Sequence, residues 1–288
     1  MNLGQMNQDK FYWQKNLRVV GRSLFMALLI AIAILYCIPL VWMALTSLKT
    51  LPELSALPIR LLPAVPQWVN YLTVFEMVPF ANAYLNSLII TICATISVVV
   101  TSSFAGYSFA KLEFPGRDII FIGILSTMMV PFFLLSLPLF YIFTQFGIVD
   151  THLGLILPFS ISAFGTFLMR QGIMSVPTEL IHAARIDGCS EIRIFSTIVL
   201  PLAKSSISVL VIFTFLNVWD EFMWALMAAH SERMWTLALV IRQLQMADQR
   251  MYHLQMAGAT MAVLPLIIVF LFAQKQIIRS VALSGLKL

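Results

Sequence analysis

Residues Glu179–Pro201 read ELIHAARIDGCSEIRIFSTIVLP, a charged, helix-forming stretch lying between long apolar runs. Ala183 and Ala184 are followed after three residues by Gly188, and after nine more by Ile198-Val199-Leu200-Pro201. A loop that only joins two apolar segments does not need such ordered chemistry, whereas one that docks onto another protein does. Pro177 suits the first helical turn, where a missing N–H costs nothing. Glu179 near that end complements the helix dipole. The helix is expected to run to about Asp187 and to stop at Gly188, the residue best able to take a left-handed cap. Ser190 then caps a second helix, with Glu191 in its first turn, leading through Phe195 and Ile198 to Pro201. Leu180, Ala183, Ala184 and Asp187 fall on one face by the i, i+3, i+4, i+7 rule. The same spacing describes an amphipathic connector packed on its own helices, so pattern alone leaves both readings open.

The surroundings of this island are those of a membrane protein. The chain is 60% hydrophobic and 11% charged, against about 25% charged residues in soluble globular domains. No Asp, Glu, Lys or Arg occurs in 23–48, 77–110, 119–149, 151–169 or 251–274. Each tract is long enough to cross a bilayer, which takes roughly 17–25 apolar residues. A sixth segment, 205–229, is interrupted only by Asp220 and Glu221. The expected fold is therefore all-α, with six transmembrane helices at about 23–46, 86–110, 119–143, 153–170, 205–229 and 254–275. Residues 1–22 form an N-terminal segment, 23–288 one transmembrane domain, and 171–204 the loop that carries the island. The 26-residue charge-free core of the first span exceeds the roughly 7–15 residues of a signal-peptide core, so it is expected to be a retained anchor.

Charge orients the spans. With both termini cytoplasmic, thirteen Lys and Arg fall inside and five outside, the bias expected of inner-membrane proteins. The island is then cytoplasmic, and the formal charge of +5 reflects topology with no need of nucleic acid. The outer segment 49–85 holds Pro52, Pro58, Pro63, Pro66 and Pro79 with Trp68, Tyr71 and Tyr84. It is expected to be irregular, since proline removes helical hydrogen bonds, and interfacial. Residues 230–252 suit a short surface helix. Cys37, Cys93 and Cys189 show no disulfide or metal-ligand spacing.

Asp220 and Glu221 are the only acidic residues inside an expected span, and such groups usually face a cavity or a partner. Counted from Ser205, Asp220 stands roughly 22 Å along the helix, past the midplane. Asn217, Trp219 and Trp224 adjoin them, and polar groups beside aromatic faces suit sugar hydroxyls and C–H surfaces. These five residues are the candidate substrate pathway, the alternative being a wetted outer interface. Pro131, Pro138, Pro158 and Pro265 are candidate kinks. No G-x-x-x-x-G-K-[ST], H-E-x-x-H or G-x-S-x-G occurs, so no catalytic residue, metal site or bound cofactor is expected.

The island's spacing resembles the EAA loop of binding-protein-dependent ABC importer permeases, in their maltose-permease-like carbohydrate branch. Similar matches run along the chain: Asn86-Ser87-Leu88-Ile89, Ala105–Lys111, Phe114-Pro115-Gly116-Arg117, Met128-Met129-Val130-Pro131, Phe167–Gln171, Trp219–Phe222, Thr236-Leu237 and Leu264-Pro265. The resemblance implies the six-span, MetI-like permease fold with a cytoplasmic coupling helix, in a bacterial inner membrane. It implies ATPase-coupling roles for Glu179, His182, Ala183, Ala184, Asp187, Gly188, Ile198, Leu200 and Pro201. It further implies a heterodimer with a second homologous permease, two copies of a cytoplasmic ATPase that uses ATP and Mg, and an external solute-binding protein. The chain itself is then a transport subunit and not an enzyme. A sugar or oligosaccharide is the implied solute; a polyol, glycerophosphodiester or uronate oligomer is the alternative, with a secondary carrier behind it. The family normally has Glu at the position of His182, often Asn at that of Asp220, and Gly at that of Ser280. An imidazole makes a weaker, pH-sensitive contact there, and Glu179 on the same face can supply a charge. The tail Ser280–Leu288 resembles the family's short extension toward the ATPase.

Overall fold

Three of the charge-free tracts become the longest helices of the computed structural model, which describes residues 3–247 and 251–284. The chain divides into two units, 1–71 with 250–260, and 72–249 with 261–288. The expected C-terminal extension Ser280–Leu288 lies outside the described side chains, and its last four residues outside the described backbone.

In the first unit, α1 (Leu3–Ser47) carries the apolar stretch Gly21–Ser47, exposed over most of its length and buried at its end by Thr46 and Ser47. The proline-rich segment that follows α2 (Leu51–Leu54) is irregular from Ser55 to Trp68, as its composition predicts. Specific hydrogen bonds replace the helical ones. The Asn70 amide donates to the Ser47 and Lys49 carbonyls at 2.8 and 3.0 Å. Lys49 is 2% exposed, donates to the Arg60 carbonyl at 2.7 Å, and lies over the Trp42 ring. The Glu53 carboxylate accepts the backbone N–H groups of Thr50 and Ala64 at 2.8 and 2.7 Å. Those two bonds hold its carboxyl below its ordinary value.

After α3 (Val69–Met77), the second unit is built around α4 (Phe80–Lys111), a 32-residue helix. Its buried positions include Ala83, Ser87, Ile90, Ala94, Val98, Ser102, Gly106 and Phe109. Steps of three and four residues put them on one helical stripe. The third expected span is two helices, α5 (Arg117–Ser126) and α6 (Phe132–Gln145), which meet at 97°. The break has a local cause. Pro131 clashes with a helical residue before it, and Val130 is extended at φ −90°, ψ 115°. Pro138 and Pro265, by contrast, sit inside continuous helices. The fourth span is likewise divided, α7 (His152–Ile156) and α8 (Ala163–Met174) belonging to segments bent by 48°.

The island forms α9 (Thr178–Ile186) and α10 (Glu191–Ile194), then a π-helical turn over Phe195–Val199 and the short α11 (Leu200–Leu202). A 79° bend leads into α12 (Lys204–Trp219). The fifth span was expected to continue to 229, but α12 ends at Trp219 and a separate helix, α13 (Met223–Ala228), follows. At that break the Glu221 carboxylate accepts the Trp224 backbone N–H, in the first turn of the new helix, at 2.6 Å. Then come α14 (Leu237–Ala247) and α15 (Tyr252–Ser284), the latter apolar over Tyr252–Phe272. The short helix expected in 230–252 is thus present, but Leu237, Leu239, Val240 and Leu244 bury one side of it. Among the described residues, three helices are long and apolar enough to cross a membrane alone, and up to six spans result when each bent pair counts as one.

α4 packs most extensively on α8 and α12, through small residues that let membrane helices approach closely. A Cβ on Gly106 would stand 2.6 Å from the Met169 Cβ and 2.8 Å from the Arg170 backbone nitrogen. Gly165 meets Ser102 and Gly172 meets Ser206 in the same manner. Two apolar cores flank this seam. One surrounds Trp224, Phe143 and Leu155 against Ile90 and Ala94; the other gathers Ile181, Ile194, Phe195 and Val199 against Val98 and Tyr107.

Candidate functional site

α9 ends as the spacing predicts. Gly188 has φ +78°, its N–H reaches the Arg185 carbonyl, and the Cys189 N–H reaches the Ala184 carbonyl. Those two bonds make a Schellman cap. The two alanines do not share a face, however. Ala184 and Ile181 are 7% and 1% exposed and belong to the core, while Glu179, Leu180, His182, Ala183, Ile186 and Asp187 point outward. Adjacent residues stand about 100° apart on a helix, and the i, i+3 pair Ile181/Ala184 takes the inner side. The presented surface is therefore Leu180, Ala183 and Ile186, the last 86% exposed, extended by Ile192 at 74%. Glu179 and His182 flank it, exposed and without a hydrogen bond or salt bridge among the described residues. Ile198 and Leu200 are half-buried and Pro201 is exposed. They lie in the π turn and α11, at the joint with α12.

The loop is held to α4 by residues that spacing did not single out. The Tyr107 hydroxyl donates to Glu191 Oε2 at 2.5 Å, and the Arg185 Nε donates to Glu191 Oε1 at 2.6 Å. The Arg185 guanidinium and then the Tyr107 hydroxyl hold the Glu191 carboxyl below its ordinary value. Half exposed, the Arg185–Glu191 pair alone is worth only about 0–1 kcal/mol. The bond from the buried Tyr107 belongs to the stronger, charge-assisted class. Phe195 stacks on Phe104 and also contacts the Tyr107 ring, with centroids 4.6 and 5.4 Å apart. Lys111 donates to the Val176 carbonyl at 2.6 Å and to Thr178 Oγ1 at 3.0 Å.

The second constellation separates into buried and exposed members. Trp224 is fully buried and its indole N–H donates to the Gly154 carbonyl at 2.9 Å. Trp219 stacks on Phe215 and donates to the Ala262 carbonyl at 3.1 Å. Glu221, half-buried beside the first turn of α13, borders a small cavity shared with Thr91 and Thr236. Asn217 and Asp220 are exposed, Asn217 with its amide donating to the Phe213 carbonyl. Nearby, Asp150 at φ +60° accepts the backbone N–H groups of His230 and Ser231, both at 2.9 Å. Burial would raise its carboxyl, but those two donors outweigh it and hold it below its ordinary value. Among the described residues no group of three His, Cys, Asp or Glu side chains is placed to hold a metal ion.

An exposed helix face, capped by a left-handed glycine and strapped to a 32-residue helix, sits in a chain whose residues 99–283 match the family described as binding-protein-dependent transport system inner membrane component. The chain belongs to that family. The permease is 34% identical over 271 residues to the arabinooligosaccharides transport system permease protein AraQ of Bacillus subtilis, covering 93% of this chain and 95% of that one. It is 32% identical to the lactose transport system permease protein LacG of Rhizobium radiobacter, over 86% and 90% of the two chains. Its fold matches a chain in the crystal structure of a bacterial ABC transporter involved in the import of the acidic polysaccharide alginate. That match has a TM-score of 0.78 at 21% identity, over 90% of this permease and 96% of its neighbour. The permease is thus a multi-pass inner-membrane component of a binding-protein-dependent ABC transporter, and ATP hydrolysis lies in a partner subunit.

Proposed function

We propose that the permease forms, with a second homologous permease, the translocation pathway for a sugar or oligosaccharide delivered by an external binding protein. Two cytoplasmic ATPases drive it through the loop 171–204, with both termini on the cytoplasmic side. The observation that carries the coupling role is the outward face of α9, where Leu180, Ala183 and Ile186 stand exposed between Glu179 and His182. A polar-rimmed apolar knob of this kind suits a cleft on another protein. Asp187 and Gly188 shape its end, and Ile198, Leu200 and Pro201 form the joint behind it. Asn217 and Asp220 are the residues that present polar groups toward the pathway, while Trp219, Glu221 and Trp224 hold the wall they stand on. Relatives named for arabinooligosaccharide and lactose transport support a sugar as the solute.

The test is uptake by vesicles containing the assembled transporter. Uptake of a labelled oligosaccharide is expected to require ATP inside and the binding protein outside. Uptake driven by a proton gradient alone would overturn the reading. Uptake of a glycerophosphodiester or polyol in place of sugars would leave the ATP-driven mechanism intact and replace the solute.

A further inference from the structure

The loop is continuous in sequence with α12, and the simplest expectation is that movement of α9 is passed along the chain into that span. The geometry points to a different route. Between α9 and α12 lie a π-helical turn at Phe195–Val199 and a bend of 79°. A π turn interrupts the regular ladder, and a bent joint yields where a straight helix would push. Against α4, in contrast, α9 is strapped at both ends. At its start, Lys111 holds the Val176 carbonyl and Thr178 Oγ1. At its end, Arg185 is joined through Glu191 to Tyr107. Tyr107 and Lys111 are one turn apart, so both straps meet the last two turns of one unbroken 32-residue helix. That helix is also the one packed most extensively on α8 and α12.

We infer that Glu191 is a positioning residue for energy coupling: its two carboxylate oxygens clamp α9 to α4 through Arg185 and Tyr107, and α4 receives the stroke of the coupling helix. The inference rests on the proposed coupling role of α9 and adds the path by which its movement enters the spans. Glu191 is suited to this because it can accept two bonds at once. Loss of either partner leaves the backbone of α9 intact but frees one end of it. Phe195, stacked on Phe104 and in tilted contact with the Tyr107 ring, keeps α10 against α4 when the polar bond is removed. The clamp can therefore be broken without unfolding the loop.

The decisive measurement is the number of ATP molecules hydrolysed per solute imported, in proteoliposomes holding the complete transporter. Tyr107→Phe removes one hydroxyl and keeps the ring; Glu191→Gln removes the charge. Each is expected to leave the ATPase bound and hydrolysing, and to raise the ratio about fivefold or more, the usual lower range of a coupling effect. The double variant is expected to be no worse than the single ones, because both cut one strap. Thr197→Gly, which loosens the π turn on the covalent route, is expected to leave the ratio unchanged. An unchanged ratio in the Tyr107 and Glu191 variants, or uptake and hydrolysis falling in step, would overturn the inference. So would a rise with Thr197→Gly as large as with Tyr107→Phe. Should Glu191→Gln fail to assemble, Tyr107→Phe alone decides. Failure of the underlying coupling reading looks different: the unaltered transporter would then import solute without ATP.

Discussion

At the Lys111 end of α4, the carboxylate of Glu191 bridges separate helices; at the Phe80 end, those of Glu221 and Asp150 are bound by backbone N–H groups. Glu191 joins three elements, and Glu179 is exposed with no salt bridge among the described residues. Glu221 and Asp150, which look no less conspicuous in the sequence, each satisfy backbone N–H groups, Glu221 that of Trp224 and Asp150 those of the distant His230 and Ser231. The tryptophans follow the same division, with Trp219 and Trp224 buried and bonded to carbonyls. The difference teaches that a charge in an apolar tract marks a break in a helix as readily as it marks a ligand. An unsatisfied helix terminus in hydrocarbon is costly, and a carboxylate is one way to satisfy it.

The largest expected effect that tests this contrast is at the buried end. Trp224→Ala removes the centre of the Trp224 core, a change that costs about 3–5 kcal/mol in soluble proteins. Thermal stability, uptake and hydrolysis are expected to fall together; normal melting of the purified complex would contradict a structural role. At the other end, Gly188→Val is expected to separate hydrolysis from uptake while membrane insertion stays normal. A Cβ there meets nothing within 4 Å, so the penalty is backbone strain alone, roughly 1–2 kcal/mol for a left-handed residue. Unchanged uptake would remove the turn from the coupling machinery.

Smaller effects sharpen the boundary between exposed and buried members. Asp220→Asn is expected to change the apparent solute affinity a few-fold without moving the melting temperature, measured by uptake across solute concentrations and by thermal unfolding. Equal destabilisation to that of Trp224→Ala would reassign Asp220 to the wall. The smallest effect belongs to Glu53. Its folded carboxyl is held below the ordinary value of 4.5, so its stabilisation is complete above that value and is lost as pH falls through the lower folded value. Protease cleavage within 55–68 is expected to increase in that acid window, and Glu53→Gln is expected to abolish the pH dependence. A persistent dependence in the variant would point to another carboxylate.

Much of the loop could be read before any coordinates. Gly188 announced its own turn because a left-handed cap favours a residue without Cβ, and the Ala-Ala-Gly spacing placed α9 to within a residue of its observed end. The split of Ala183 from Ala184 was not legible, because which side of a helix turns inward depends on the core it meets. Tyr107 and Glu191 lie 84 residues apart, and nothing local to either one names the other.

By itself, the amino-acid sequence determined the all-helical class, the number of apolar segments and the turn at Gly188. Those follow from the hydrocarbon thickness of a bilayer and from the backbone freedom of single residues, both local properties. The tertiary structure decided which conspicuous polar groups remain available, and that the loop is tied to α4. These depend on partners distant in sequence: a carboxylate is free or spent according to which N–H and O–H groups the fold brings within about 3 Å of it.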